Sequence, residues 1–136
     1  MKTKQIIRVT AAILVGEIAL IILATVAQEV LFNGITYNAS SNFELMFGGL
    51  ATFIAAILSG FVARLVSKTY HIAVPIGISI LITAEMTYLI TINQTKDPIW
   101  FDVVAGISLI VGIWIGYSIK DFKNKNRVSL NNTPTT

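Results

Sequence analysis

Four long apolar runs, separated by short polar segments, make up most of the chain. Charged residues collect between the runs and at the two ends, and few of them fall inside a run. A bilayer core requires about 20 consecutive, mostly apolar residues in helical conformation. Each run is long enough to meet that requirement. The pattern predicts four membrane-spanning helices, at residues 9–32, 46–66, 72–92 and 98–119.

Small residues indicate how these helices pack. They recur every four positions, a spacing that puts them on one face of a helix. In lipid, small residues let two helix backbones approach closely, and van der Waals packing then holds the helices together. We therefore expect an all-α, integral membrane, antiparallel four-helix bundle with the second helix at its centre. The predicted packing residues are Gly48, Thr52, Ala56 and Gly60 in the second helix and Gly112 and Gly116 in the fourth.

The composition supports a membrane protein. Hydrophobic residues make up 54% of the chain and charged residues only 12%, whereas a typical globular domain has roughly 25% charged residues. The absence of cysteine excludes disulfides, thiolate metal sites and cysteine nucleophiles. We expect a single domain at residues 1–119, followed by a flexible, polar cytoplasmic tail at residues 120–136.

The positions of the basic residues predict the orientation. If the four helices alternate in direction, nine of the ten Lys and Arg fall on one side, and only Lys96 falls on the other. Cytoplasmic segments next to spans carry the excess of Lys and Arg, so we expect both termini in the cytoplasm. Because the basic residues flank apolar runs, they predict contact with the lipid bilayer and no nucleic-acid partner.

Two carboxylates fall deep inside predicted spans. At 1.5 Å per residue, Glu17 is roughly 12 Å and Glu85 roughly 20 Å from the cytoplasmic start of its run. A charge at the centre of a span costs about 2.5–3.5 kcal/mol on insertion scales. Such an acid either makes a structural hydrogen bond or binds a proton or cation. Gln28 shares the helix face of Glu17, so Glu17, Glu85 and Gln28 form the candidate proton or ligand site.

The third helix leaves two arrangements open. Glu85 lies on an aliphatic face, and the opposite face carries a row of hydroxyls. Either Glu85 lies at an interface with a second copy of the chain, which gives a homo-oligomer, or Glu85 is interior and the hydroxyls meet another chain. The hydroxyl row consists of Ser79, Thr83, Thr87 and Thr91.

Other polar residues lie nearer the ends of the spans. Arg64, close to the cytoplasmic end of the second helix, is expected to extend its charge to the headgroups. Glu29 and Asp102, each about one turn from an outer helix end, are expected to do the same. The lone histidine, His71, is expected to be solvated in a cytoplasmic turn. With no second histidine and no cysteine to complete a catalytic or metal set, we expect no enzymatic activity, no cofactor and no metal.

The second half of the chain resembles a group of small bacterial four-helix inner-membrane proteins. The shared features are the Gly/Ala-rich second helix and the entry to the last helix at Pro98, Trp100 and Phe101. This resemblance implies the fold and a bacterial inner membrane. It does not indicate any particular activity. More remotely, the chain is similar to the small multidrug resistance transporters, which have four helices and an essential glutamate in the first, here Glu17. The long first outer loop and the extended tail differ from that family.

Two functions follow from these features. The leading one is a non-enzymatic small membrane protein with a structural or accessory role. The alternative is a proton-coupled transporter of a small cation that acts as a dimer, with Glu17 as the coupling acid and Glu85 assisting.

Overall fold

The computed structural model describes residues 3–34, 38, 40–69, 71–92 and 97–131, with side chains as far as residue 119. Within these ranges the chain is helical, and no strand is present, which confirms the all-α class. The first helix continues into a π-helical turn at Val26–Val30. The four helices are α1 Thr3–Thr25, α2 Asn42–Ser67, α3 Ala73–Thr91 and α4 Ile99–Asn131.

All four helices contain a stretch long and apolar enough to cross a membrane. The outer surface of the bundle is also apolar, with large hydrophobic side chains such as Ile18, Leu58 and Ile80 exposed. A soluble monomer rarely exposes an apolar surface of this extent. Length and composition therefore agree with the class of membrane proteins. The four stretches are Thr3–Val30, Asn42–Ser67, Ala73–Thr91 and Ile99–Ile119.

Two helices extend beyond the apolar runs. α1 begins at Thr3, ahead of the predicted start at residue 9, and α4 continues to Asn131, past the predicted end at residue 119. The stretch 120–131, expected to be part of a flexible tail, has a helical backbone, and residues 132–136 lie outside the described ranges. Hydropathy marks where apolar residues stop, whereas a helix continues as long as its backbone hydrogen bonds are made.

α2 begins with a capping box formed by Ser41 and Glu44. The backbone N–H of Glu44 donates to Ser41 Oγ over 3.3 Å, and the backbone N–H of Ser41 donates to Glu44 Oε2 over 2.7 Å. These bonds satisfy backbone donors that have no partner within the helix. The capping box therefore fixes the start of α2.

Replacing Ser41 with alanine should cost about 1 kcal/mol of stability, because the first turn of α2 loses its side-chain acceptor. Ser41→Asp is the control, since aspartate also caps helices and should keep most of the stability. Hydrogen exchange of the first-turn amides of α2 measures the effect. Unchanged exchange in Ser41→Ala would show that the cap does not hold this helix end.

The helices surround the core in the order α1, α2, α4, α3. α2 packs extensively against α1 and α4, whereas α3 packs against α1 and α4 and barely touches α2. Gly16 of α1 meets Ser59 of α2, and Gly77 of α3 meets Ile13 of α1. The buried core consists of Val9, Ala12, Leu20, Ala56, Ala63, Val74, Ile78, Ile82, Ile113 and Tyr117.

Two glycines bring α2 and α4 into backbone contact. A Cβ atom on Gly60 would overlap the backbone of Ile113, and a Cβ atom on Gly116 would overlap the backbone of Ile57. No side chain fits between the helices at these two positions. The contact is the close approach that small residues allow in membrane bundles.

The other predicted packing residues continue this interface. A Cβ atom on Gly112 would lie 2.7 Å from the Cβ of Ala56, which is fully buried. Nearer the start of α2, Gly48 and Thr52 are also buried, and Thr52 Oγ1 donates to the Gly48 carbonyl over 2.9 Å. The small residues of α2 therefore form a buried surface along the helix.

Candidate functional site

Glu17 lies where α1 contacts both α2 and α3. The carbonyl of the preceding Gly16 accepts a hydrogen bond from Ser59 of α2, and a Cβ atom on Gly16 would lie 2.7 Å from Ile78 of α3. The side chain of Glu17 is partly buried. Its Oε2 atom is fully buried and has no hydrogen-bond partner among the described residues. Burying a polar atom without a hydrogen bond costs free energy. Glu17 is therefore the candidate on α1 for a residue kept for function.

Glu85 lies on α3 and is exposed on the surface of the bundle. Its carboxylate is close enough to Glu17 for a direct electrostatic interaction. Repulsion between two negative charges grows as the dielectric constant falls. Two carboxylates in this arrangement therefore repel each other when both are charged. The structure thus brings together two of the three residues of the candidate site.

Gln28 makes a different contact. It lies in the π-helical turn, and its Nε2 donates to Thr52 Oγ1 of α2 over 3.5 Å. A helical wheel assumes regular α-helical geometry, and a π-helical turn changes the angular position of the residues it contains. The structure therefore connects Gln28 to the packing surface of α2. The role of Gln28 as a ligand stays a prediction.

The hydroxyl row of α3 is bonded within its own helix. Each hydroxyl donates to the carbonyl four residues earlier, over 2.7 to 2.8 Å. Part of the row lines a surface groove of about 800 Å³ beside Trp114, whose Nε1 donates to Ser79 Oγ over 3.2 Å. Since Glu85 is exposed as well, this single chain leaves both faces of the outer part of α3 uncovered. The choice between the two predicted interfaces therefore stays open.

Asp102 is buried, with only 6% of its surface exposed. It lines a second cavity, of about 180 Å³, between α3 and α4 together with Met86 and Gly106. The prediction that Asp102 extends to the headgroups is wrong, because its position in the first turn of α4 directs it toward α3. Neither this cavity nor the larger groove is lined by Glu17 or Glu85.

A polar cluster at one end of the bundle was not predicted from the sequence. We call it the Tyr117 cluster; it consists of Ser67, Thr69, His71 and Tyr117. The fully buried Tyr117 hydroxyl lies 3.1 Å from Ser67 Oγ, accepts the His71 backbone N–H over 3.1 Å and donates to the His71 carbonyl over 3.2 Å. The cluster fixes the turn between α2 and α3 against α4.

His71 connects this cluster to the start of α1. Its Nε2 atom lies 2.9 Å from Thr69 Oγ1 and 3.3 Å from Gln5 Nε2. His71 is therefore only partly solvated, and not a free loop histidine, because the turn is folded back onto α1 and α4. One signal for the cluster was present in the sequence: Tyr117 directly follows Gly116, one of the predicted packing residues.

Arg64 is also buried, with 5% of its surface exposed. Its guanidinium carbon lies 5.6 Å from the centre of the Tyr117 ring, an arrangement typical of a cation–π interaction. The prediction that Arg64 extends to the headgroups is wrong, because its face of α2 is turned toward α4. Arg64 therefore contributes to the interior of the bundle.

Comparison with known proteins returns no relative: no protein-family model, no curated protein and no solved structure matches the chain. The resemblance to small bacterial inner-membrane proteins thus stays an expectation. Fold and site together define a class only: over the described residues, the protein is all-helical, with four helices apolar enough to span a membrane.

Proposed function

We propose that this chain is a four-span protein of the cell membrane, arranged as an antiparallel bundle with both termini in the cytoplasm, and that its role is structural or accessory. The observation that carries this proposal is the backbone contact between α2 and α4 at Gly60 and Gly116. Such contact gives a closely packed bundle. The two described cavities lie beside α3, and neither is lined by the partly buried acid Glu17.

Two sequence features support the membrane and the orientation. The resemblance of the second half to small bacterial proteins favours a bacterial inner membrane. The nine-to-one distribution of basic residues favours cytoplasmic termini. In such a protein the lipid bilayer is the principal partner.

The structural role predicts that the purified protein in liposomes conducts no ions. A pH-sensitive dye inside the vesicles measures proton movement, with small monovalent and organic cations supplied outside. Vesicles containing the protein should then match empty vesicles. Proton movement driven by any of these cations would contradict a purely structural role.

A second candidate function is proton-coupled transport of a small cation. The specific observation that favours it is the buried Oε2 atom of Glu17, which has no hydrogen-bond partner among the described residues and lies within electrostatic range of Glu85. A structural glutamate would use its carboxyl group for a hydrogen bond between helices. The described residues offer Glu17 Oε2 no such bond, and an acid in a span without one favours a functional role.

The chemistry of such a site is simple. A protonated Glu17 is neutral and tolerates the apolar interior, and loss of the proton leaves an anion that attracts a cation. Glu85 adds a second negative charge that strengthens this attraction. Proton and cation would then compete for the same two carboxylates, and this competition couples their movements.

Glu17→Gln should abolish cation-driven proton movement if transport is the function, since glutamine keeps the size of the side chain but cannot bind or release the proton. Glu85→Gln should reduce it. Glu29→Gln is the matched control, because Glu29 is exposed on the same chain segment and should be dispensable. All three variants should fold and express like the wild type. Full activity in Glu17→Gln would rule out Glu17 as the coupling acid.

A further inference from the structure

The two halves of α3 differ in packing. Every buried residue of this helix lies between Val74 and Ile82, and none of the residues from Thr83 to Thr91 is buried. We call Ala73–Ile82 the packed half and Thr83–Thr91 the loose half. Segments with few buried contacts open at low free-energy cost. The loose half therefore has less to hold it in place.

The packed half is held by three contacts, two with α4 and one with α1. At its start, the backbone of His71 is bonded to the Tyr117 hydroxyl of α4. A Cβ atom on Gly77 would lie 2.5 Å from Ile13 of α1, so these two helices are in close contact. Trp114 of α4 donates to Ser79. These contacts all lie on the Tyr117 side of Thr83.

The hydroxyl row makes the loose half easier to bend. Thr83, Thr87 and Thr91 all donate to the carbonyl four residues earlier, along one face of the helix. That carbonyl also accepts the normal backbone hydrogen bond, and hydroxyls that share it weaken the helix slightly and often bend it. Three such bonds on one face concentrate this effect in the half of α3 that has no fully buried residue and that packs on the core through the partly buried Met86.

We propose that the loose half of α3 swings as a unit on the packed half and moves Glu85 toward and away from Glu17. Glu85 lies in the loose half, only three residues beyond Ile82. A bend at Thr83 therefore changes the separation of the two carboxylates while the packed half remains in contact with α1 and α4. This inference takes its membrane setting from the proposed function.

The movement has a consequence for the acid pair. In the arrangement of this structure, the two carboxylates are close enough for an electrostatic interaction. When the loose half swings away, the exposed Glu85 moves farther from α1 and Glu17 loses its neighbouring charge. The hinge therefore controls whether the two acids act as a pair.

Spin-label distances in lipid bilayers test the hinge directly. The chain has no cysteine, so pairs of cysteines for spin labelling can be introduced without first removing native cysteines. One pair, Leu65→Cys and Ile76→Cys, reports on the packed half, and the other, Leu50→Cys and Tyr88→Cys, reports on the loose half. All four residues are exposed, and both pairs use α2 as the reference.

The hinge predicts a broad distance distribution for the loose-half pair and a narrow one for the packed-half pair. Thr83→Val with Thr87→Val removes two hydroxyls and keeps the branched shape, so it should narrow the broad distribution. Thr83→Ser with Thr87→Ser keeps the hydroxyls and should leave it broad. The packed-half distance should be unchanged in both, which also verifies folding.

Equal widths for the two label pairs would overturn the hinge, and so would a valine variant with the wild-type distribution. These outcomes are independent of transport, since the measurement needs no flux. Absence of flux together with a broad loose-half distribution would remove the transport function and leave the hinge intact. A rigid α3 in a protein that does transport would overturn the hinge and leave the transport function intact.

Discussion

Gly116→Ala is expected to lower the free energy of unfolding by about 1–3 kcal/mol, because overpacking a close contact forces the backbone to move. The added methyl group would overlap the carbonyl and Cα of Ile57. These are backbone atoms, so no change of side-chain rotamer can relieve the overlap. α4 must move away from α2, and the contacts around Gly60 weaken with it. Gly116→Val should be worse, since it adds two further methyl groups.

Gly49→Ala is the matched control for this prediction. Gly49 lies on the exposed face of α2, and a Cβ atom there would meet nothing within 4 Å. Unfolding in mixed micelles with increasing denaturing detergent compares the two variants. We expect Gly49→Ala to unfold like the wild type and Gly116→Ala to unfold at a lower detergent fraction. Equal stabilities would contradict the contact between α2 and α4.

Tyr117→Phe is expected to cost about 1–3 kcal/mol, because it removes hydrogen bonds between groups that are buried or partly buried. The hydroxyl serves Ser67 and both backbone groups of His71. Phenylalanine keeps the ring beneath Arg64, so the variant removes the hydrogen bonds and preserves the packing. Its effect should appear first as faster hydrogen exchange in the turn between α2 and α3.

Tyr88→Phe is the control for removing a tyrosine hydroxyl. Tyr88 is 64% exposed on α3, so loss of its hydroxyl should have little effect on stability. Ser67→Ala provides a second test. If Ser67 and Tyr117 act together, the double variant should be less destabilised than the sum of the two single variants. Strictly additive losses would show that the two hydroxyls stabilise the turn independently.

The spans and the packing surface could be predicted because both follow from local patterns. A membrane helix is recognised by its length and apolar composition. A packing face is recognised by small residues four apart, as at Gly112 and Gly116. Neither needs knowledge of the partner helix. The extension of α4 to Asn131 was missed for the same reason: hydropathy describes the membrane and not the end of the helix.

The polar residues were harder to predict because their environment depends on the rotation of each helix. Arg64 and Asp102 lie near helix ends, where long or polar side chains usually extend to the headgroups, yet both face a neighbouring helix and are buried. Depth in a span follows from residue number, whereas the direction of a side chain follows from packing. The pairing of Glu17 with Glu85 likewise required the contact between α1 and α3.

Cysteine accessibility in intact cells tests the four-span arrangement most directly. Single cysteines replace Thr3, Asn38, Lys68, Asp97 or Asn131 in the cysteine-free chain, and a membrane-impermeant maleimide labels those that face outward. We expect labelling at residues 38 and 97 only, with residues 3, 68 and 131 reacting after the cells are opened. Labelling of residue 68 from outside, or of residue 131 but not residue 3, would contradict the account.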